Sequence, residues 1–279
     1  MTIKSVMTVL DSSEIGGQHA VFAAEIAIRE GAHLTALAPT GLAAEIPGTE
    51  FAPTGLTVLD KIQVDLATNA SQALLRFEAY CKREAFSDYD GQVVTMSAEH
   101  ALISHSFYTD LIVVSQPHAK QDKNVIGEYF VEHIMLTGSR PILILPAISQ
   151  LTMPVNQAIV AWKPDKEGAR ALREAIPLLR RMKAVEIVSI QTPSEANQHP
   201  KTSDINLLRY LSLHGVSATH RHLVSEMDVG NTLLSHAADS GADLLVMGGY
   251  GHSRMREWIM GGATRTILQT MTVPVMMSH

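Results

Sequence analysis

The chain repeats itself. Residues 110–141 read DLIVVSQPHAKQDKNVIGEYFVEHIMLTGSRP, and residues 243–274 read DLLVMGGYGHSRMREWIMGGATRTILQTMTVP. Each stretch opens on Asp-Leu and an apolar run of strand length. Each closes on a proline that begins a second apolar run, ILILP or VMMS. One offset of 133 positions carries Asp110 onto Asp243 and Pro141 onto Pro274 without a gap. A repeat of this length predicts one supersecondary pattern built twice.

The wider pattern agrees. SVMTVLDSS, a helical segment near Gly17–Arg29 and AHLTALAP are answered by NQAIVAWKP, a helical segment near 166–182 and AVEIVSIQ. Each half then continues with a helix, a strand (GQVVTMS; ATHRHLVS), a helix (AEHALISHSFY; GNTLLSHAADSG) and the repeated strand. Unbroken apolar strands such as LIVV, ILIL and LLVM suit a parallel sheet covered on both faces. Alternating strands and helices with right-handed crossovers predict an α/β, doubly wound sheet of about five strands per half. The 279 residues accommodate two such domains, at 1–147 and 155–279, joined near AISQLTMPVN.

Composition excludes several functions. A net charge of −6 lacks the basic face that a nucleic-acid binder needs. No run approaches the apolar length of a membrane span, and the N-terminus lacks the pattern of a secretory signal, so a cytoplasmic protein is expected. The single cysteine, Cys81, cannot form an intrachain disulfide and reads as a bystander on a helix. There is no Gly-x-Ser-x-Gly elbow, no His-Glu-x-x-His and no complete Walker motif, which tilts the reading from enzyme toward binding module.

The glycines of GGYGHSRMREWIMGGAT carry the functional signal. Gly248, Gly249 and Gly251 follow the strand DLLVM, and Gly261 and Gly262 precede ATRTILQTM, read as a helix with Thr264 available as N-cap. Glycine lets backbone N–H groups approach an anion, and a helix start offers free N–H groups. Two such clusters suit a polyphosphate; equally, glycine after a strand serves a plain turn.

This segment resembles the signature of the universal stress protein family, Gly-x₂-Gly-x₉-Gly-Ser/Thr, which Gly248, Gly251 and Gly261 match. The resemblance extends over the chain as two tandem copies, like the family's two-domain members of the E type. It implies two tandem Rossmann-like domains and ATP, with or without Mg²⁺, as ligand. The implied site comprises Trp162 and Lys163 after the first strand and Ile190 at the end of the second. Along the motif it takes in Met247, Gly248, Gly251, His252, Ser253 and Arg254, then Gly261, Gly262, Ala263 and Thr264. The resemblance also implies that the two domains pair through their last strands as family dimers do, with a further homodimer open.

Two departures from the family stand in the second half. Gly262 stands where the family has Ser or Thr, and Lys163-Pro164-Asp165 replaces Asp-Gly-Ser after the first strand. Lysine cannot accept a hydrogen bond from ribose, although Lys163 suits a phosphate and Trp162 a base. Arg254 and Arg256 offer charge-assisted phosphate contacts or are solvated loop charges. In the first half Ser115, His118, Glu128 and Tyr129 replace Gly248, Gly251, Gly261 and Gly262, while Asp11 keeps the acid of the first strand. The first domain is therefore expected not to hold ATP through this motif, since a carboxylate repels phosphate. Three functions stay open: an ATP-binding stress-response module, an interaction protein independent of nucleotide, and a slow ATP hydrolase.

Thirteen histidines raise the question of a metal. His220 and His222, two apart on a strand, share a face, but two ligands do not make a structural zinc site. A third from His199 or His214 has no geometry fixed by sequence. No metal site is assigned, and the pair is read as exposed strand residues, as His100, His105, His118 and His133 are read as surface. The methionines near the motif read mainly as core filler. GLAAEIPGTEFAPTGL (41–56) reads as a loop leading into a helix that runs through Arg83.

Overall fold

The computed structural model describes residues 2–41, 55–117, 129–148, 151, 153–193, 201–249 and 262–279. They divide into two compact units, residues 2–147 and 148–279. The first contains β1 (Ser5–Val9), α1 (Glu14–Glu30), β2 (His33–Pro39), α2 (Gly55–Arg83) and β3 (Tyr89–Val94). It continues with α3 (Ala98–Ser106), β4 (Leu111–Ser115), α4 (Phe130–Thr137) and β5 (Ile142–Leu145). The second contains β6 (Gln157–Ala161), α5 (Lys166–Leu179), β7 (Ala184–Gln191), α6 (Lys201–Leu213) and β8 (Thr219–Val224). It ends with α7 (Val229–Ser240), β9 (Leu244–Gly248), α8 (Gly262–Thr270) and β10 (Val275–Ser278).

Within each unit the strands are parallel, in the order β3-β2-β1-β4-β5 in the first and β10-β9-β6-β7-β8 in the second. These are α/β, Rossmann-like doubly wound sheets. The apolar strands supply the core: Leu111, Ile112 and Val113 of β4, and Leu245 and Val246 of β9, are fully buried. Outer strands β3 and β8 alternate instead between more and less exposed positions.

The Asp-Leu that opens each repeat has a structural cause. Asp110 Oδ2 accepts from the backbone N–H groups of Lys4 (2.8 Å) and Ser5 (3.1 Å), at the entrance to β1. Asp243 Oδ2 does the same for Asn156 (2.8 Å) and Gln157 (3.0 Å), at the entrance to β6. One carboxylate per unit thus ties the start of the fourth strand to the start of the first and satisfies two donors that the ladder leaves open.

Helix starts follow their caps. Ser13 accepts from the Gly16 N–H, so α1 begins at Glu14, three residues before the glycine expected from apolar periodicity. Asp165 and Asp228 cap α5 and α7 in the same manner, accepting from Gly168 and Asn231. Helix α7 then ends on Gly241 at φ +66°, a left-handed turn where a side chain would be strained.

Cys81 lies buried on α2, and burial pushes its thiol up to about 11. Thiol reagents act on the thiolate. The native protein is therefore expected to release no colour with Ellman's reagent at pH 8, and one thiol per chain after addition of denaturant. Rapid labelling of the folded protein would show that α2 leaves its place.

Among the described residues, no helix is long and apolar enough to cross a membrane.

Candidate functional site

In the second unit the chain runs outward from β6 to β7 and β8 on one side, and from β9 to β10 on the other. The order reverses between β6 and β9, and the crevice beyond their carboxyl ends is where doubly wound sheets hold ligands. Trp162 and Lys163 follow β6 there; Gly248 closes β9, and Gly249 follows it.

The β6 side departs from an ordinary nucleotide site. The half-buried Trp162 continues the ladder, its N–H donating to the Val188 carbonyl at 2.8 Å. Lys163 is 80% exposed, with Nζ 3.4 Å from Asp165 Oδ2. The other Asp165 oxygen accepts from the Gly168 N–H at 2.8 Å. The nearest carboxylate after β6 is thus engaged by a helix cap and an ammonium. Ile190 is half-buried in β7, and strand alternation turns it to the face opposite Ser189 and Gln191.

On the β9 side, Gly248 has a packing reason of its own. A Cβ there would stand 2.7 Å from the Glu167 carbonyl carbon and 2.8 Å from the Gly168 nitrogen. The strand end runs against the first turn of α5, and only glycine permits that approach. Met247, one residue earlier, is buried. Glu167, which the sequence reading passed over, is buried beside Gly248, with Lys166 Nζ 3.4 Å from its Oε1. No sequence signal marks it, because its neighbour Gly248 lies far along the chain.

The motif's other end begins α8. Gly262 is its first residue and Ala263 its second, so Thr264 sits inside the first turn, 4% exposed, and does not cap the helix as expected from sequence. Among the described residues, a Cβ at Gly262 would meet only Asp228 Oδ2, at 3.5 Å. Asp228 therefore brings a carboxylate to the α8 start, where its charge complements the helix dipole and competes with a phosphate for the same field. Gly251, His252, Ser253, Arg254, Arg256 and Gly261 lie outside the described residues, as do His118, His199, Glu128 and residues 42–54 of the expected loop.

In the first unit the order reverses between β1 and β4. Ser115, at the position of Gly248, stands 2.6 Å from His19 Nδ1, and His19 Nε2 is 3.2 Å from the Pro146 carbonyl. A carbonyl only accepts, so Nε2 carries the proton and Nδ1 accepts from the Ser115 hydroxyl. A partly buried serine–histidine contact stands where the second unit has bare glycine. Asp11 keeps its place at the end of β1, with Oδ1 2.5 Å from the Ser13 nitrogen.

His220 and His222 are not the exposed strand residues expected. They share a face of β8, as predicted, but Asp204 from the first turn of α6 meets both rings. His214 lies against Tyr210 instead, the rings tilted at 60° and 4.6 Å apart between centroids. His100 is exposed, and His105 and His133 are half-buried, the latter 3.3 Å from Glu99. A shallow pocket at the amino ends of β6–β8 contains Glu186, Arg221 and His236. Burial raises Glu186, but hydrogen bonds from His236 and Arg221, each at 2.6 Å, outweigh it and hold the carboxyl below its usual range.

Comparison with known proteins agrees with this architecture. Residues 156–279 match the family model described as Universal stress protein family. A universal stress protein from Archaeoglobus fulgidus DSM 4304 superposes with a TM-score of 0.69 at 14% identity, over 98% of this chain and 97% of that one. A protein of unknown function from Pseudomonas aeruginosa PAO1 superposes with a TM-score of 0.61 at 14% identity, over 99% and 92%. At such identity the likeness shows the fold, and full coverage is consistent with a tandem arrangement of two such domains. No curated protein matches the sequence.

Proposed function

We propose that the chain is a cytoplasmic stress-response module whose second unit binds ATP with Mg²⁺, the first unit serving as a structural partner that takes no nucleotide. One observation carries this reading: the glycine motif leaves β9 at the switch point facing β6 and re-enters the fold at the start of α8. A crevice there, with a helix N-terminus on its rim, is the ordinary place for a phosphate chain. Exposed Lys163 adds a cation on the β6 side. The contact of Ser115 with His19 supports an empty first unit, because side chains fill the position that bare glycine holds in the second.

A second reading is an interaction protein independent of nucleotide. It is favoured by Asp228 at the α8 start and by the engagement of Asp165 in a cap. Titration calorimetry with Mg·ATP on protein stripped of nucleotide separates the two. We expect one ATP per chain, weakened at least about tenfold by Gly251→Val with Gly261→Val, a loss of about 1.4 kcal/mol or more. Two per chain would assign a site to the first unit. No binding by calorimetry and by a second method would establish the second reading. Multiple turnovers lost in the same variant would be needed for a hydrolase.

A further inference from the structure

We propose that Asp204, His220 and His222 form a binding site for one divalent transition-metal ion of the zinc class, on the face of β8 that α6 covers. The site owes nothing to the glycine motif and stands or falls apart from nucleotide binding.

His220 and His222 alternate onto one face of β8, and the first turn of α6 sets Asp204 over them. His220 Nδ1 lies 3.2 Å from Asp204 Oδ1, and His222 Nε2 lies 2.8 Å from Asp204 Oδ2. The two nitrogens and a carboxylate oxygen all fall within 4.8 Å of one another. A tetrahedral zinc ion with bonds of about 2.0–2.2 Å separates its ligand atoms by roughly 3.3–3.6 Å, so small side-chain shifts suffice. Imidazole with carboxylate is a zinc-type donor set and a poor one for Mg²⁺ or Ca²⁺.

The outer hydrogen bond to His220 turns its required lone pair inward. Ser189 Oγ donates its single proton to the Trp162 carbonyl (3.2 Å), so it accepts from His220 Nε2–H at 2.9 Å. Neutral His220 then has its lone pair on Nδ1, the atom that meets Asp204. Gln191 Nε2 lies 2.9 Å from His222 Nδ1 and donates to it, so the His222 proton sits on Nε2, which donates to Asp204 Oδ2 at 2.8 Å. A metal ion at Nε2 takes that proton's place, the proton moving to Nδ1 as the Gln191 amide turns its oxygen to the ring. Such second partners commonly orient metal-binding histidines.

The His220 Nδ1 lone pair and the Asp204 carboxylate repel unless a cation lies between them. Two imidazolium rings would supply charge but stand only 4.4 Å apart between centroids, where like charges repel. A single divalent ion satisfies all three ligands at once. His220 is 5% exposed, whereas Asp204 and His222 are 28% and 29% exposed. The site is closed beneath and open at one side, leaving a fourth position for water or another ligand. The ion ties α6 to the edge strand of the unit.

Zn²⁺ titration of chelator-treated full-length protein, with Co²⁺ absorption in parallel, tests the site. We expect one Zn²⁺ per chain and a four-coordinate Co²⁺ spectrum. Asp204→Asn with His222→Gln should abolish both, and Ser189→Ala should weaken Zn²⁺ about 10–100-fold. No binding by the wild type, or full stoichiometry in the double variant, overturns the proposal. If the double variant fails to fold by circular dichroism, the wild type decides. Zn²⁺ should then protect His222, the more exposed of the two histidines, from diethylpyrocarbonate, mapped by peptide mass; unchanged labelling of His222 overturns the site.

Discussion

Asp243→Ala is expected to destabilise the second unit by about 2–4 kcal/mol, read as a fall in the urea midpoint. The carboxylate accepts from two backbone N–H groups at the entrance to β6, at 2.8 and 3.0 Å. A hydrogen bond to a charged group contributes about 1.5–3 kcal/mol, and the two donors lose their partner together. Water reaches this strand end and recovers part of the loss, which sets the lower bound. Asp243→Asn keeps a neutral acceptor and should cost less than half as much. Asp110→Ala should do to the first unit what Asp243→Ala does to the second, because Lys4 and Ser5 lose the same acceptor. A change below about 0.5 kcal/mol, the ordinary effect of a surface substitution, would show that the carboxylate does not hold the two strand starts together.

Gly248→Ala is expected to cost about 2–3 kcal/mol. Its added carbon would lie 2.7–2.9 Å from three atoms of Glu167 and Gly168, two of them backbone. Backbone does not swing aside as the end of a flexible side chain does, so β9 or the α5 start must move, and overpacking of that kind typically costs 1–3 kcal/mol. Gly262→Ala supplies the contrast. Its nearest neighbour among the described residues is Asp228 Oδ2 at an ordinary 3.5 Å, so stability should change by no more than about 0.5 kcal/mol. Urea unfolding of the two variants side by side checks the difference, and equal stability in both would refute the packing reason. Since Gly248→Ala disturbs the crevice wall itself, lost ATP binding in that variant would not identify a phosphate cradle. Substitutions at Gly251 and Gly261 are the sharper probe.

Much of the architecture was legible in the chain. Unbroken apolar runs such as LIVV and LLVM called for strands buried on both faces, and the constant offset between Asp110 and Asp243 called for the pattern twice. Both are local properties, readable residue by residue. The glycine spacing likewise announced the end of one strand and the start of the next helix. Helix starts were less legible, because a cap such as Ser13 acts through one side-chain hydrogen bond rather than through periodicity.

Tertiary structure decided the rest, since the decisive partners lie far apart in sequence. Gly248 meets Glu167 across the sheet, Asp228 meets the start of α8, and Ser115 meets His19, ninety-six positions away. The histidine pair of β8 shows the same division. Alternation alone put His220 and His222 on one face, but only the packing of α6 on β8 brought Asp204 to them. The sequence by itself determined which elements form and that they form twice; the crossing of helices over strands determined which charges meet. The physical reason is range: hydrophobic period and turn chemistry act over a few residues, whereas a carboxylate finds its partner only after the chain has closed around it.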